Sequence, residues 1–292
     1  MEHFVEKYVE KLDWTLTAEH RELLLFLFNN LHVDELGEEE QCLFIDYFLK
    51  SESLQNMAVS AVALFEIIHE IEENVPAIEL GERLANGEEQ RNYYERKWYG
   101  AKINELKHQT QKEGNVFHVP FAKYNAVPGP IIICLEQSEG MVMYSEACKS
   151  MILPLFVTAH REQRDLYIVP YNTHLLAHYY FENGHMNLSD FTNFIECEGD
   201  GEGEATIIPV LQFAKGLLQE HSSCSNAEII IFTSGEPTDG HCVAEPSVNT
   251  LIQEMMDQYH AEISVIAMCE KKFNEHYFQF ANKVYFVEDT VL

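Results

Sequence analysis

Basic residues are scarce in this chain. Only 19 Lys and Arg stand against 48 Asp and Glu, a formal net charge of -29 over 292 residues. Proteins that hold nucleic acid displace counterions from phosphates with Lys and Arg. With so few, and no basic stripe, the chain is not expected to bind nucleic acid or to dock on an anionic membrane. The acidity is spread over both halves with no acidic tail, so it suits solubility and permits a basic protein partner. Cysteines are few, odd in number at 7, and form no CxxC pair. Several sit in apolar runs, as in Ile131-Ile132-Ile133-Cys134, which fits a reduced, cytosolic inventory and not a disulfide framework. No apolar run approaches the ~18–20 residues of a membrane span. The opening residues Met1 to Lys7 lack the basic and apolar regions of a signal peptide. A cytoplasmic protein is expected. Walker A, HExxH and GxSxG motifs are missing as well. Gly199, Gly201 and Gly203 form a glycine loop, but its flanking carboxylates would repel phosphate. A Ser234/His241/Asp239 triad and a zinc site at His241-Cys242 lack supporting spacing. The chain is therefore expected not to be an enzyme.

What is present is a globular composition, 46% hydrophobic and 23% charged, in two grammars. The first is helical. Thr17 is an N-cap candidate for the apolar patch Leu23 to Phe28. Cys42 to Leu49 follows the acidic run Glu38-Glu39-Glu40. Ser53 to Glu73 is apolar around most of its surface, as a central helix would be. Gly87 to Lys112 reads as a long charged helix with one aromatic stripe. Pro120, Pro128, Gly129 and Pro130 then break the pattern. This divides the chain into an α-helical domain, 1–118, and an α/β domain, 119–292.

The second grammar alternates strands and helices. Strands are expected at Pro130–Leu135, Leu166–Tyr171, His174–Phe181, Glu228–Thr233, Ile263–Met268 and Val284–Val287. The second and third should form an antiparallel hairpin. Helices are expected at Tyr144–His160, Leu188–Ile195, Thr206–Glu220, Val248–Tyr259 and Phe273–Phe280. Short, fully apolar strands are buried on both faces, and their alternation with helices predicts a doubly wound, mostly parallel sheet with helices on both sides. Ligands in such folds sit beyond the carboxyl ends of the strands. Three exits matter: Glu136-Gln137-Ser138-Glu139-Gly140-Met141, the glycine loop running into Ala205-Thr206, and Thr233-Ser234-Gly235-Glu236-Pro237-Thr238-Asp239-Gly240.

These three loops, in this order, resemble the von Willebrand factor A domain. In that family an Asp-x-Ser-x-Ser motif, a Thr from a second loop and an Asp from a third hold a divalent ion, a MIDAS site. Within the family the chain is similar to the ViaA and CoxE branch. The features are Ser138-Glu139-Gly140-Met141, Arg164 to Ile168 before Tyr171-Asn172-Thr173, the Ile229–Phe232 strand, and the endings Ile263–Met268 and Val284–Thr290. The resemblance covers roughly the last 160 residues. The metal motif departs from the family. Glu136 stands where the first Asp belongs, Gly140 replaces the second Ser, and Ser234 replaces the third-loop Asp. Ser138 and Thr206 match. One carboxylate and three hydroxyls remain, and Glu is a methylene longer than Asp, which suits magnesium poorly. Asp200, Glu202, Glu204, Glu236 or Asp239 are candidate replacement carboxylates. The plain alternative is that Ser138, Thr206 and Ser234 cap helices or satisfy turn amides.

The resemblance implies a non-enzymatic, protein-binding adaptor that engages a target protein together with a MoxR-type AAA+ ATPase. The binding face would be Glu136, Ser138, Gly140, Thr206, Ser234, Glu236 and Asp239. The metal positions would be Glu136, Ser138, Thr206 and Ser234, with magnesium as the ion. Two alternatives stand beside it: a free-standing, metal-dependent binding module, and a metal-dependent hydrolase built on the carboxylate-rich loops.

Overall fold

β-branched and aromatic residues dominate the apolar runs of the second half, and these runs form the strands of one six-stranded sheet. The computed structural model describes residues 5, 8–9, 17–62, 129–198, 203, 205–220, 226–235, 246–269, 278 and 280–286. The strands are β1 Ile131–Glu136, β2 Leu166–Tyr171, β3 Tyr179–Phe181, β4 Glu228–Thr233, β5 Glu262–Ala267 and β6 Lys283–Phe286. Their order across the sheet is β3-β2-β1-β4-β5-β6. Every pairing is parallel except β2 with the edge strand β3. The described helices are α1 Ala18–Asn30, α2 Glu38–Lys50, α3 (residues 52–62), α4 Ser145–Glu162, α5 Leu188–Glu196, α6 Ile208–Glu220 and α7 Pro246–Tyr259. This is the mostly parallel, helix-flanked sheet that the alternation predicts.

Side-chain alternation along β1 separates two cores. Ile131, Ile133 and Leu135 pack with α4 and α5 on one face. Ile132 and Cys134 pack with α6 and α7 on the other. With both faces covered, all six residues of β1 are buried. The N-terminal helices join the first of these cores. Phe28 meets Phe44 edge to face at 5.6 Å between ring centroids, and Phe44 lies 6.1 Å from Phe191 of α5. Phe191 in turn meets Phe156 of α4 at 5.7 Å. The helical segment and the sheet are thus continuous in packing. The boundary at 118/119, the aromatic helix at 87–112 and most of the helix expected at 273–280 lie outside the described residues.

Local chemistry sets the helix starts. The Thr17 hydroxyl accepts from His20 N at 3.1 Å and caps α1, as its sequence predicts. Glu40 accepts from Gly37 N at the start of α2, and Asn187 accepts from Asp190 N at the start of α5. Two expected elements are shorter than the pattern suggests. The third strand shrinks from His174–Phe181 to Tyr179–Phe181, because Asn172 accepts from His174 N and Leu176 N donates to Pro170 O. These bonds draw the chain into a turn, and only one isolated bridge, Tyr171 to Leu175, remains of the ladder there. Helix α6 begins at Ile208, not Thr206. Among the described residues no helix is long and apolar enough to cross a membrane.

The amino edge of the sheet carries a buried ion cluster. Arg164 donates to Gly129 O, and its Nη1 lies 3.0 Å from Glu162 and 3.1 Å from Glu228. Burial pushes the Glu228 carboxyl above its usual range, and the Arg164 guanidinium only partly opposes this. The opposite, carboxyl edge of the sheet holds the candidate site.

Candidate functional site

Strand order in the sheet reverses at β1, which has the later strand β4 on one side and the earlier connection to β2 on the other. Such a switch point opens a crevice beyond the strand ends. Parallel register sets Leu135 beside Phe232 and Glu136 beside Tyr171. The last residue of β1, Glu136, therefore stands level with the exit of β4.

Glu136 is 3% exposed, yet it is not an unpaired buried charge. Its Oε1 accepts from the Ser138 hydroxyl at 2.5 Å and the Ser234 hydroxyl at 2.6 Å. Its Oε2 accepts from the Thr233 hydroxyl at 2.5 Å and from Ser234 N at 3.1 Å. Each oxygen thus has two donors, which is the usual complement of a carboxylate. Thr233 also accepts from Gly235 N at 3.2 Å, so the turn after β4 is tied to the same network. Tyr171 lies alongside. Burial, with the Glu136 charge adding to it, pushes its phenol well above the ordinary range, while a bond to Thr233 opposes the shift.

Gly140 belongs to this arrangement through the space it leaves. A Cβ there would lie 3.1 Å from both Cβ and Oγ of Ser234 and 3.7 Å from Oγ of Ser138. Two of the departures from the metal motif are therefore one structural unit: Gly140 gives up a hydroxyl, and Ser234 occupies the room and turns its own hydroxyl onto Glu136.

Thr206 stands apart from the carboxylate. Its backbone N donates to Asn172 O at 3.0 Å, and its hydroxyl lies 3.5 Å from Ile208 N at the start of α6. It does the work of a turn residue, whereas Ser138 and Ser234 spend their hydroxyls on Glu136. The glycine loop nonetheless approaches the first loop, since a Cβ at Gly203 would lie 3.6 Å from Glu139 Oε2. Asp200, Glu202, Glu204, Glu236, Asp239, His241 and Cys242 lie outside the described residues.

The described residues at this strand end offer a divalent ion an incomplete ligand set. The hydroxyl protons of Ser138 and Ser234 are committed to Glu136, their oxygen lone pairs remain, and Gly140 offers no side chain. Magnesium needs near-octahedral oxygen ligation. The space beside Glu136 is a cavity of only ≈ 10 Å³, bordered by Tyr171, Thr233 and Phe278 among others, about the room of one water.

Two features of the site escape sequence reasoning based on the motif. Thr233 is a core member of the network, and only strand register, which sets β4 level with the end of β1, identifies it. The turn Glu139–Tyr144 then leaves Val142 and Met143 in solvent, 61% and 56% exposed. Its neighbours Met141 and Tyr144 are buried and hold the turn down.

No protein-family model and no curated protein sequence matches the chain. Partial similarity to solved structures is found. The VWA domain of SpRpn10 aligns at 14% identity and a TM-score of 0.44, over 57% of this chain and 91% of that one. The pilus adhesin SpaC from Lactobacillus rhamnosus GG aligns at 11% identity and a TM-score of 0.44, over 56% of this chain and 29% of that one. Proximal thread matrix protein 1 from the mussel byssus, in a structure with a zinc-occupied MIDAS motif, aligns at 15% identity and a TM-score of 0.43, over 57% of this chain and 45% of that one.

Proposed function

We propose that the chain is a non-enzymatic adaptor that binds protein partners through the loops at the carboxyl ends of β1 and β4, and does so without a divalent ion. The observation that carries this is the saturation of Glu136 by four internal donors. A carboxylate so engaged is a rigid foundation for its loops, and neither a free ligand for a cation nor a free base for catalysis. The loops it fixes present Val142 and Met143, adjacent exposed apolar side chains of the kind that serve as interface anchors when rimmed by polar groups. The polar rim is supplied by Glu139, which is exposed beside them.

The partner we assign by resemblance to the ViaA and CoxE branch is a MoxR-type AAA+ ATPase, with a target protein delivered to it. The ATPase supplies the energy, and this chain supplies recognition. The high negative charge of -29 favours a basic docking face on that partner. A tagged pull-down from the native host, with and without ATP and magnesium, tests the assignment. The full chain should recover an AAA+ ATPase, and a Val142→Asp/Met143→Asp variant with an unchanged melting temperature should lose it. Failure to recover any AAA+ ATPase in either condition overturns the ATPase assignment. Equal recovery by the variant overturns the docking face.

A further inference from the structure

Among the described residues, the richest cluster of metal-ligating side chains lies away from the strand-end site, where the N-terminal segment meets the α/β core. His32 and Glu35 flank a short turn after α1. His160 sits in the last turn of α4, and His185 follows the turn after β3. The Glu35 carboxylate gathers all three imidazoles. Its Oε2 lies 3.2 Å from His160 Nε2 and 3.2 Å from His185 Nδ1, and its Oε1 lies 3.6 Å from His32 Nδ1. One ligand atom each from His32, Glu35 and His160 falls within 4.8 Å of the other two. Ligands of a tetrahedral zinc ion, at ~2.0–2.1 Å from the metal, stand roughly 3.3 Å apart. The carboxylate–imidazole spacings already have this length.

The backbone is committed to this meeting. Gly184 has φ +68°, and a Cβ on it would lie 2.2 Å from His160 N. Only glycine permits that approach, and it is what seats His185 beside His160, with ring centroids 4.8 Å apart. The preceding Asn183 is also left-handed, at φ 51°, and its N donates to Asp165 at 2.9 Å. On the other side His32 is left-handed as well, at φ 52°, and the fully buried Val33 pins its turn to the core. Left-handed backbone is uncommon outside glycine, and its clustering around a set of polar side chains is a known mark of functional sites. The His32 and His160 rings stack at 3.6 Å between centroids, 21° from parallel. An imidazole binds a metal in its ring plane, so one ring would turn out of this stack to share an ion.

We propose that His32, Glu35 and His160 form a transition-metal site, with zinc as the ion and His185 holding the Glu35 carboxylate in place, that fastens the N-terminal helices to the α/β core. Two imidazoles and one carboxylate are a donor set for zinc or its transition-metal neighbours, and not for magnesium or calcium. The segments joined are far apart in sequence, so a bound ion would close long loops of chain. The ion would join the two segments through three protein ligands, with water in the fourth position.

The test uses the full chain with any tag removed, stripped by EDTA and dialysed. Zinc chloride is titrated at neutral pH by calorimetry, with melting temperature as a parallel readout. Cobalt(II) replaces zinc for a visible spectrum. The site predicts saturation at one zinc per chain, a melting temperature that rises with zinc, and four-coordinate cobalt bands. Glu35→Gln and His185→Gln alter exposed side chains, keep the fold by circular dichroism, and should each weaken zinc affinity at least roughly tenfold. His160→Gln should remove the saturable binding. Unchanged zinc affinity in all three variants overturns the proposal. So does a melting temperature that responds to pH alone and is indifferent to zinc, which would make the cluster an ion pair network without a metal.

Discussion

Shortening Glu136 by one methylene tests the strand-end network more sharply than deleting it. Glu136→Asp keeps the carboxylate. It withdraws the carboxylate by roughly one C–C bond, ~1.5 Å. Three of its four donors, the Thr233 hydroxyl, the Ser234 hydroxyl and Ser234 N, sit across the sheet on β4 and its exit, at 2.5, 2.6 and 3.1 Å. Withdrawn by that amount, these contacts lengthen past the ~3.5 Å at which a hydrogen bond is lost. Bonds to a charged group contribute about 1.5–3 kcal/mol each, and water entering the gap recovers part of this. The net loss should be about 2–4 kcal/mol, which lowers the melting temperature by roughly 5–12 °C for a domain of this size. Urea unfolding in EDTA, with wild type and variant side by side, measures it. A loss below about 0.5 kcal/mol would refute the reasoning, because it would show that the four donors are not what holds Glu136 in place.

Two further outcomes follow from the packing and the amino-edge ion cluster. Phe44→Ala removes the ring that links Phe28 to Phe191 and should cost about 3–5 kcal/mol, in a single unfolding transition recorded together by near- and far-UV circular dichroism, since helices and sheet share one core. Glu228 has its carboxyl raised by burial, so the fold favours its neutral form. That contribution is complete below the ordinary glutamate range near ~4.3 and declines as pH rises through the raised value. Glu228→Gln should therefore flatten the fall in melting temperature on going from pH 4 toward neutrality, measured by differential scanning fluorimetry across that range.

Much of the α/β fold was legible in the sequence because burial on both faces leaves an unambiguous mark. Ile131–Cys134 and Glu228–Thr233 can be little other than central strands, and both lie where the pattern puts them. The edge strand β3 was less legible, since its extent depends on side-chain competition from Asn172, which no periodicity reports. At the site, the motif identified Glu136, Ser138 and Ser234 as neighbours. It could not show that the hydroxyls point inward to the carboxylate, because that depends on the distance between two strand ends and on the room left by Gly140. Thr206 looks like a ligand in sequence and behaves as a turn residue, because helix α6 starts two residues later. The histidine cluster was invisible for a different reason. Its members come from three places in the chain, joined by left-handed turns at His32 and Asn183-Gly184 whose backbone angles a sequence pattern does not encode.

The central claim is that Glu136 is satisfied by the protein itself, so the docking face is formed without a divalent ion. Titration of magnesium chloride onto EDTA-stripped protein, against sodium chloride of matched ionic strength, tests it most directly. The account predicts that the melting temperatures of the two series coincide, and that calorimetry finds no saturable magnesium site. An upward shift specific to magnesium that disappears in Glu136→Ala would contradict it.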